Sequence, residues 1–527
     1  MKLFYKPLFA AVILGVSASG VAYAKDPVTL KVATHASLRL LDPMTSTADI
    51  TRDHSYAVYE TLFSLDSQYD PKPQMVGDYS VSADQLEWRF TLRDGLVFHD
   101  GAPVKAEDAV ASLKRWFARD ITGGRLGKIT KTIEAVDDKT FKIHLTEPYG
   151  LMLDSLAKRN AHVPFIMPKR IAETPSNQNI SEVIGSGPLR FVAEEFQPGV
   201  RVVYEKHKDY KPRSEPMDAL SGAREVKVDR VEWISFPDAQ TAINALQKGE
   251  IDIIERLNHD MAGLLKDKKG VVVHRSGDMQ SPAIRLNWLQ APFNSIENRR
   301  AVLHAINQQD FMDALIGDPD GYKVCQALFG CGTPLSSDRG VVAPDPAKAK
   351  ALLKQGGYKG ESTVVLNITD NPTFQGLAPM TAQVLRSIGM KVDMPSMDFA
   401  TYFSRRKLKT PSSEGGWSVA FGGWSLMDLT SPIANINLDT RGETGYDGWS
   451  QDDVMAKLKD DFARATTREE QKEIAAKIQE RAYELVFYVP LGTYYNYSAH
   501  RESVDRLPQA PVSVYWNIGK PAKANAS

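Results

Sequence analysis

Trp424 and Asp428 are the side chains in this sequence best placed to act on a small ligand. They lie in Trp417–Pro432, WSVAFGGWSLMDLTSP. An indole offers a broad apolar face that also attracts a cation. A carboxylate beside it neutralises a buried positive charge. The pattern predicts a short strand at Ser418–Phe421, ended by Gly422 and Gly423. Trp424 and Asp428 then fall in a loop closed by Pro432. The competing reading puts Trp424 in the core and Asp428 on a solvated turn.

Other reactive groupings are sparse. Ser155 and Lys158 match the S-x-x-K spacing of penicillin-recognising serine enzymes, and so do Ser404 and Lys407. Neither an S-D-N nor a K-T-G companion is present, so serine hydrolysis is the minor alternative. There is no H-E-x-x-H, C-x-x-C or P-loop, and no cofactor is expected. The 10 histidines are scattered. Cys325 and Cys331 are the 2 cysteines of the chain, in VCQALFGCGTP. In an oxidising compartment this spacing reads as a local disulfide. A zinc site is disfavoured, because no second ligand pair is visible.

The compartment follows from the first residues, MKLFYKPLFAAVILGVSASGVAYA. Lys2 and Lys6 precede the apolar run Leu8–Val16, and Ala22-Tyr23-Ala24 has the form of a cleavage site. Cleavage after Ala24 and a periplasmic location are expected. The net charge is −1, which argues against nucleic-acid binding and against polybasic attachment to membranes. Hydrophobic residues make up 43% of the 527, enough for more than one domain around a sizeable core.

The elements that must position Trp424 and Asp428 read as a mixed α/β chain. Strands are expected at Val28–Ala33, Leu86–Leu92, Lys139–Leu145, Leu189–Val192 and Val231–Ile234. Helices are expected at Asp53–Phe63 and Lys105–Phe117. Asp238 should cap the helix Ala239–Lys248, with Gly249 ending it before a strand at Asp252–Ile254. Asp345-Pro346 should open the helix Ala347–Gln355. Thr363–Ile368, a helix up to Ser387 and Lys391–Met394 form a second strand–helix–strand unit. The closing KPAKANAS reads as a tail.

Several stretches together resemble the periplasmic solute-binding proteins of peptide- and nickel-type ABC importers, family 5. They are LEWRFTLRDGLVFHDGAPVKAEDAVASLKRW (86–116), GSGPLRF (185–191), FPDAQTAINALQKGEIDI (236–253), IRLNWLQAPFNSIENRRAVLHAIN (284–307), DPAKAKALLKQGGY (345–358) and YVPLGTYYNYSAHRESV (488–504). The resemblance implies a two-lobed α/β binding-protein fold (Venus flytrap, cluster C) with an extra inserted domain. Domain I would comprise about Lys25–Thr61, Gly185–Arg285 and Gly492–Ser527. Domain II would be the insertion Leu62–Ile184, and domain III Leu286–Leu491. The implied function is capture of a peptide, or of a peptide-like small molecule, between the lobes. Delivery would be to an inner-membrane permease with its ATPase subunits. A monomer is expected, and no enzyme activity. Binding of a nickel or other metal complex is a further alternative.

The same resemblance nominates the site. Asp428 matches the aspartate that binds a peptide ammonium in peptide-binding branches, with Trp424 beside it. Leu40, Leu41 and Asp42 follow the first strand, Asn287 and Trp288 lie at the hinge, and Asn435 follows Pro432. His35 and His54 flank a loop expected to face the cleft. Dipeptide binders carry an arginine for the peptide carboxylate; Gln375 and Gly376 stand there instead. Arg405, Arg406 and Arg441 are candidate anion anchors, and Arg39 and Arg159 are loop charges within reach of the cleft.

Overall fold

The computed structural model describes residues 1, 27–369, 374, 376–505 and 507–521. The expected leader from Lys2 to Ala24, Gln375 and most of the C-terminal tail lie outside the described residues. No helix among the described residues is long and apolar enough to cross a membrane.

A mixed sheet of 10 strands carries the site. Thr29–Ala33 lies parallel to Arg230–Ile234 on one side and to Ile253–Leu257 on the other. The helix Ala239–Lys248 makes this crossover. Asp238 accepts from the Thr241 amide at 2.7 Å, and Gly249 ends the helix at φ +77°, where a side chain would be strained. The order continues through Thr493–Arg501 to the 16-residue strand Val271–Leu286 and then to Val419–Ser425.

Val271–Leu286 was not expected as a strand, because Gly277 and Pro282 interrupt its pattern. It is held by an exchange of partners. Val271–Gln280 pairs with Thr493–Arg501, and Gln280–Leu286 pairs with Val419–Ser425. One strand therefore ties together segments that the sequence reading assigned to different lobes.

A separate antiparallel sheet of four strands has the order Val76–Val81, Glu87–Leu92, Thr140–Leu145, Thr130–Ala135. The helix Ala106–Phe117 packs on it through Ala109, Leu113 and Trp116, against Phe90 and Phe141. Its Arg115 makes a two-pronged bond to the buried Asp42, at 3.1 and 2.7 Å. Asp42 is thus a structural anchor of the loop after the first strand.

Two expectations are corrected. The helix read at Asp53–Phe63 runs from Asp49 to Val58. Glu60 ends it: its buried carboxylate accepts from Arg93, Ser186 and Tyr210, which holds the chain extended at Glu60–Thr61. Gly422 and Gly423 do not end the strand at Phe421, because it continues to Ser425. A Cβ on Gly422 would lie 1.8 Å from the Trp424 ring. The glycine makes room for the indole to fold back over the strand.

Cys325 and Cys331 form a disulfide, with Cα atoms 5.7 Å apart. Its ring is small, so chain entropy gives it about 2 kcal/mol. Cys325→Ser should leave a folded protein with a lower melting temperature, read by calorimetry, and ligand affinity close to wild type.

Two segments distant in sequence meet at Gly150. Its amide donates to the Ala463 carbonyl at 3.0 Å, and a Cβ there would stand 1.7 Å from the Ala465 carbonyl oxygen. Arg464 pairs with Glu147 nearby at 3.3 Å. Gly150→Val should therefore block this contact and hold the cleft open. Small-angle scattering with saturating ligand should show a larger radius of gyration than wild type; identical radii would contradict this role.

Candidate functional site

Ser425, Asp278 and Asp428 form the centre of the site. Ser425 ends the strand and caps the short helix Leu426–Leu429, accepting from the Met427 amide at 3.3 Å. Its hydroxyl donates to Asp278 Oδ1 at 2.7 Å. Asp278 lies on the long partner strand, close to the point where the pairing changes. Asp428 is on the helix rather than in a loop, and the Asn160 side chain comes near enough to favour its ionised form.

Both carboxyls are displaced upward. Burial pushes Asp428 to about 6; Arg52 opposes the shift, Asp49 adds to it, and Lys158 and Asn160 oppose it again. Burial also pushes Asp278 to about 6, against its Ser425 bond and Arg256, and Asp428 itself adds to the rise. The Asp428 charge thus adds to the rise at Asp278. Among the described residues neither forms an ion pair. Arg52 is engaged by Asp49 at 3.1 Å and by Asp53 at 3.2 Å, and Arg256 by Asp49 at 3.5 Å.

Behind this pair lies a denser cluster. His35 Nδ1 and its backbone amide both meet Glu255 Oε2 at 2.8 Å, and Tyr515 donates to Oε1 at 3.2 Å. Burial raises the fully enclosed Asp53, with Arg52 opposing and Glu255 adding to the rise. Glu255 is held low: burial works against ionisation, and the His35 charge and bonds outweigh it. Ligand atoms of His35, Asp53 and Glu255 lie within 4.8 Å of one another. Arg52 supplies the positive charge at Asp53, and Glu255 occupies His35 Nδ1. Counting Asp49, Asp53, Glu255, Asp278 and Asp428 against Arg52, Arg256 and His35, the region has an excess of acid.

Two cavities adjoin the carboxylate pair. One, of about 70 Å³, is lined by Asp278, Glu255 and Arg256 beneath the segment 507–515. The other, of about 110 Å³, is lined by Met427 and Thr430, which flank Asp428, and by Arg159 and Asn160 opposite.

The remaining nominated residues fall elsewhere. Trp424 is half-buried, within the strand and opposite Ser281. Leu40 is 46% exposed, and its carbonyl accepts from Thr51, tying the loop to the helix Asp49–Val58. Asn287 is buried, donating to the Trp417 carbonyl at 2.9 Å and accepting from the Leu289 amide. Trp288 packs between the Arg299 guanidinium and Phe487 at the hinge. Asn435 is buried, capping Ile436–Leu438 and reaching Tyr488.

Among the arginines, Arg441 pairs with Asp439 at the surface, and Arg405 donates to the Gly415 and Gly416 carbonyls. Arg406 is buried on Asp447 and Tyr446. His54 does not face the cleft: it is enclosed, bonded to the Tyr204 hydroxyl and set against Phe191. The S-x-x-K pair is not coupled either. Ser155 bonds the Tyr149 hydroxyl, and Lys158 pairs with Asp120 at 3.0 Å.

Asp278, Asp49, Arg52 and Asn160 are the site residues that the sequence reading missed. Asp278 sits one residue after Gly277 in a stretch without strand periodicity. Asp49 and Arg52 precede the point at which the helix was expected to begin.

The mixed α/β fold sets two half-buried carboxylates, neither ion-paired among the described residues, beside two cavities, an arrangement suited to holding a small solute. Residues 70–445 match bacterial extracellular solute-binding proteins, family 5, and the chain belongs to that family. It is 36% identical over 494 residues, 92% of each chain, to a probable peptide ABC transporter periplasmic-binding protein of Sinorhizobium fredii. It is 29% identical over 444 residues to the glutathione-binding protein GsiB of Salmonella typhimurium, covering 79% of this chain and 80% of that one. The fold matches CtaP of Listeria monocytogenes with a TM-score of 0.79 at 22% identity, over 94% of this chain and 100% of that one. It also matches DppA of Helicobacter pylori in complex with peptide STSA, with a TM-score of 0.74 at 23% identity, over 94% and 98% of the two chains.

In the ligand-free protein, ionising Asp278 or Asp428 costs stability. Their carboxyls lie near 6 rather than 3.8, so this contribution falls as pH rises from about 4 through 6. A bound cation favours the ionised forms. Binding at pH 6, where each carboxyl is half protonated, should therefore release up to about one proton in total, and affinity should fall as pH drops below 6. Calorimetry in buffers of different ionisation enthalpy measures the release.

Proposed function

We propose that, as the solute-binding component of an ABC importer, this protein captures a short peptide or peptide-like molecule by its protonated amine. Asp428 is the principal anchor and Asp278 the second carboxylate. The observation that carries this reading is the pair of half-buried carboxylates, both displaced upward to near pH 6 and neither ion-paired among the described residues. Such groups are unfavourable in an empty site and become favourable when a cation arrives.

The names of the relatives agree with a peptide-like ligand, since peptides and glutathione each carry an α-ammonium. Export through a leader cleaved after Ala24 places the protein in the periplasm, where it acts as a monomer that hands its ligand to the permease. Domains I and III enclose the ligand, with the insertion Leu62–Ile184 closing over it.

Removing one partner of a buried ion pair costs about 3–5 kcal/mol. Asp428→Asn should then weaken binding by roughly two to three decades at neutral pH. Calorimetry with glutathione and with di-, tri- and tetrapeptides, each free and N-acetylated, tests the reading. Acetylation should abolish binding to wild type. Equal affinity of wild type and Asp428→Asn for the tightest member would remove Asp428 as the anchor.

A further inference from the structure

We propose that Arg159 donates to a carboxylate on the ligand, at the far end of the cavity from Asp428, so that the site selects a zwitterion. This rests on the reading of the protein as a receptor for a peptide-like amine. Arg159 is only 7% exposed. It lines the cavity of about 110 Å³ that also reaches Met427 and Thr430, on either side of Asp428. Its guanidinium lies over the Tyr69 ring, 4.6 Å from the centroid.

Among the described residues this guanidinium makes no hydrogen bond and no ion pair. The contrast with its neighbours is direct. Lys158 is paired with Asp120 at 3.0 Å, and Arg468 with Asp70 at 3.5 Å and Asp154 at 3.8 Å. Buried arginines elsewhere are also engaged: Arg115 holds Asp42, and Arg406 holds Asp447. A charge taken out of water without a partner is costly, so a cavity-lining arginine of this kind is matched to an anion that arrives with the ligand.

The geometry suits a carboxylate. With one face on Tyr69, the planar guanidinium keeps its edge for two parallel N–H···O bonds. Lys158 and Arg468 add positive charge around the cavity, and Asp154 on the same wall limits how much negative charge is welcome. The loop 158–160 links the two ends of the site: Asn160 comes near Asp428, and both it and its neighbour Arg159 line the cavity. Arg159 thus does in this chain what an arginine on a different segment does in dipeptide binders.

The carboxylate has two possible sources, a peptide C-terminus or an acidic side chain. Calorimetry with Ala-Ala-Ala, Ala-Ala-Ala amide, Ala-Glu-Ala amide and the N-acetylated form of each separates them, using wild type, Arg159→Gln and Arg159→Lys. Wild type should bind a carboxylate-bearing peptide at least about 30-fold more tightly than Ala-Ala-Ala amide, the minimum cost of stranding a buried charge. Preference for Ala-Ala-Ala identifies the C-terminus; preference for Ala-Glu-Ala amide identifies the side chain. Arg159→Gln should erase the preference, and Arg159→Lys should restore part of it.

Equal binding of acid and amide by wild type overturns the assignment without any variant, and so does a preference that persists in Arg159→Gln. Binding that requires the free amine but ignores the carboxylate overturns this assignment alone. Failure of every peptide to bind overturns the peptide reading together with it.

Discussion

Taking a carboxylate out of water without a full counter-charge is the constraint on which this structure turns. A lone buried ion is expensive, and proteins usually answer by pairing it or neutralising it. Here Asp42 is paired by Arg115, and Glu255 is bonded by His35 and Tyr515. Asp278 and Asp428 are treated differently. Their partial answer is a pKa near 6, which leaves both poised to ionise when a cation binds.

That poise depends on backbone pairing. Val271–Leu286 changes partners at Gln280, two residues beyond Asp278. Its second partner ends at Ser425, whose hydroxyl reaches back to Asp278 and caps the helix carrying Asp428. Sheet register therefore fixes the strand of Asp278 against the helix that carries Asp428. Gly150, pressed against the Ala465 carbonyl, sets how closely the opposite side can approach.

Much of the architecture was legible because it rests on local rules. Asp238 and Gly249 bracket their helix, and Asp345 caps the next. The strands around Trp88 and Phe141 alternate as half-buried strands should. Asp428 was legible through its motif. What was not legible depends on partners distant in sequence. Gly422 and Gly423 looked like a strand end, but Pro282 and Ala283 pair across from them and Trp424 fills the space that a side chain would occupy. Asp278 lies between a glycine and a proline that mask its strand. The roles of Asn287, Arg405 and Arg441 as backbone or surface partners follow from neighbours that no short window contains. Arg159 was visible as a loop charge; its lack of a partner is a property of the fold.

The central claim is that the cleft is built for a molecule with a protonated amine at one end. Mass spectrometry of the compound released on denaturing protein purified from its native periplasm tests this directly. The account predicts a primary or secondary amine that is charged at neutral pH, carried on a molecule that also bears a carboxylate. A released ligand with no basic nitrogen, or one that is purely anionic, would contradict it.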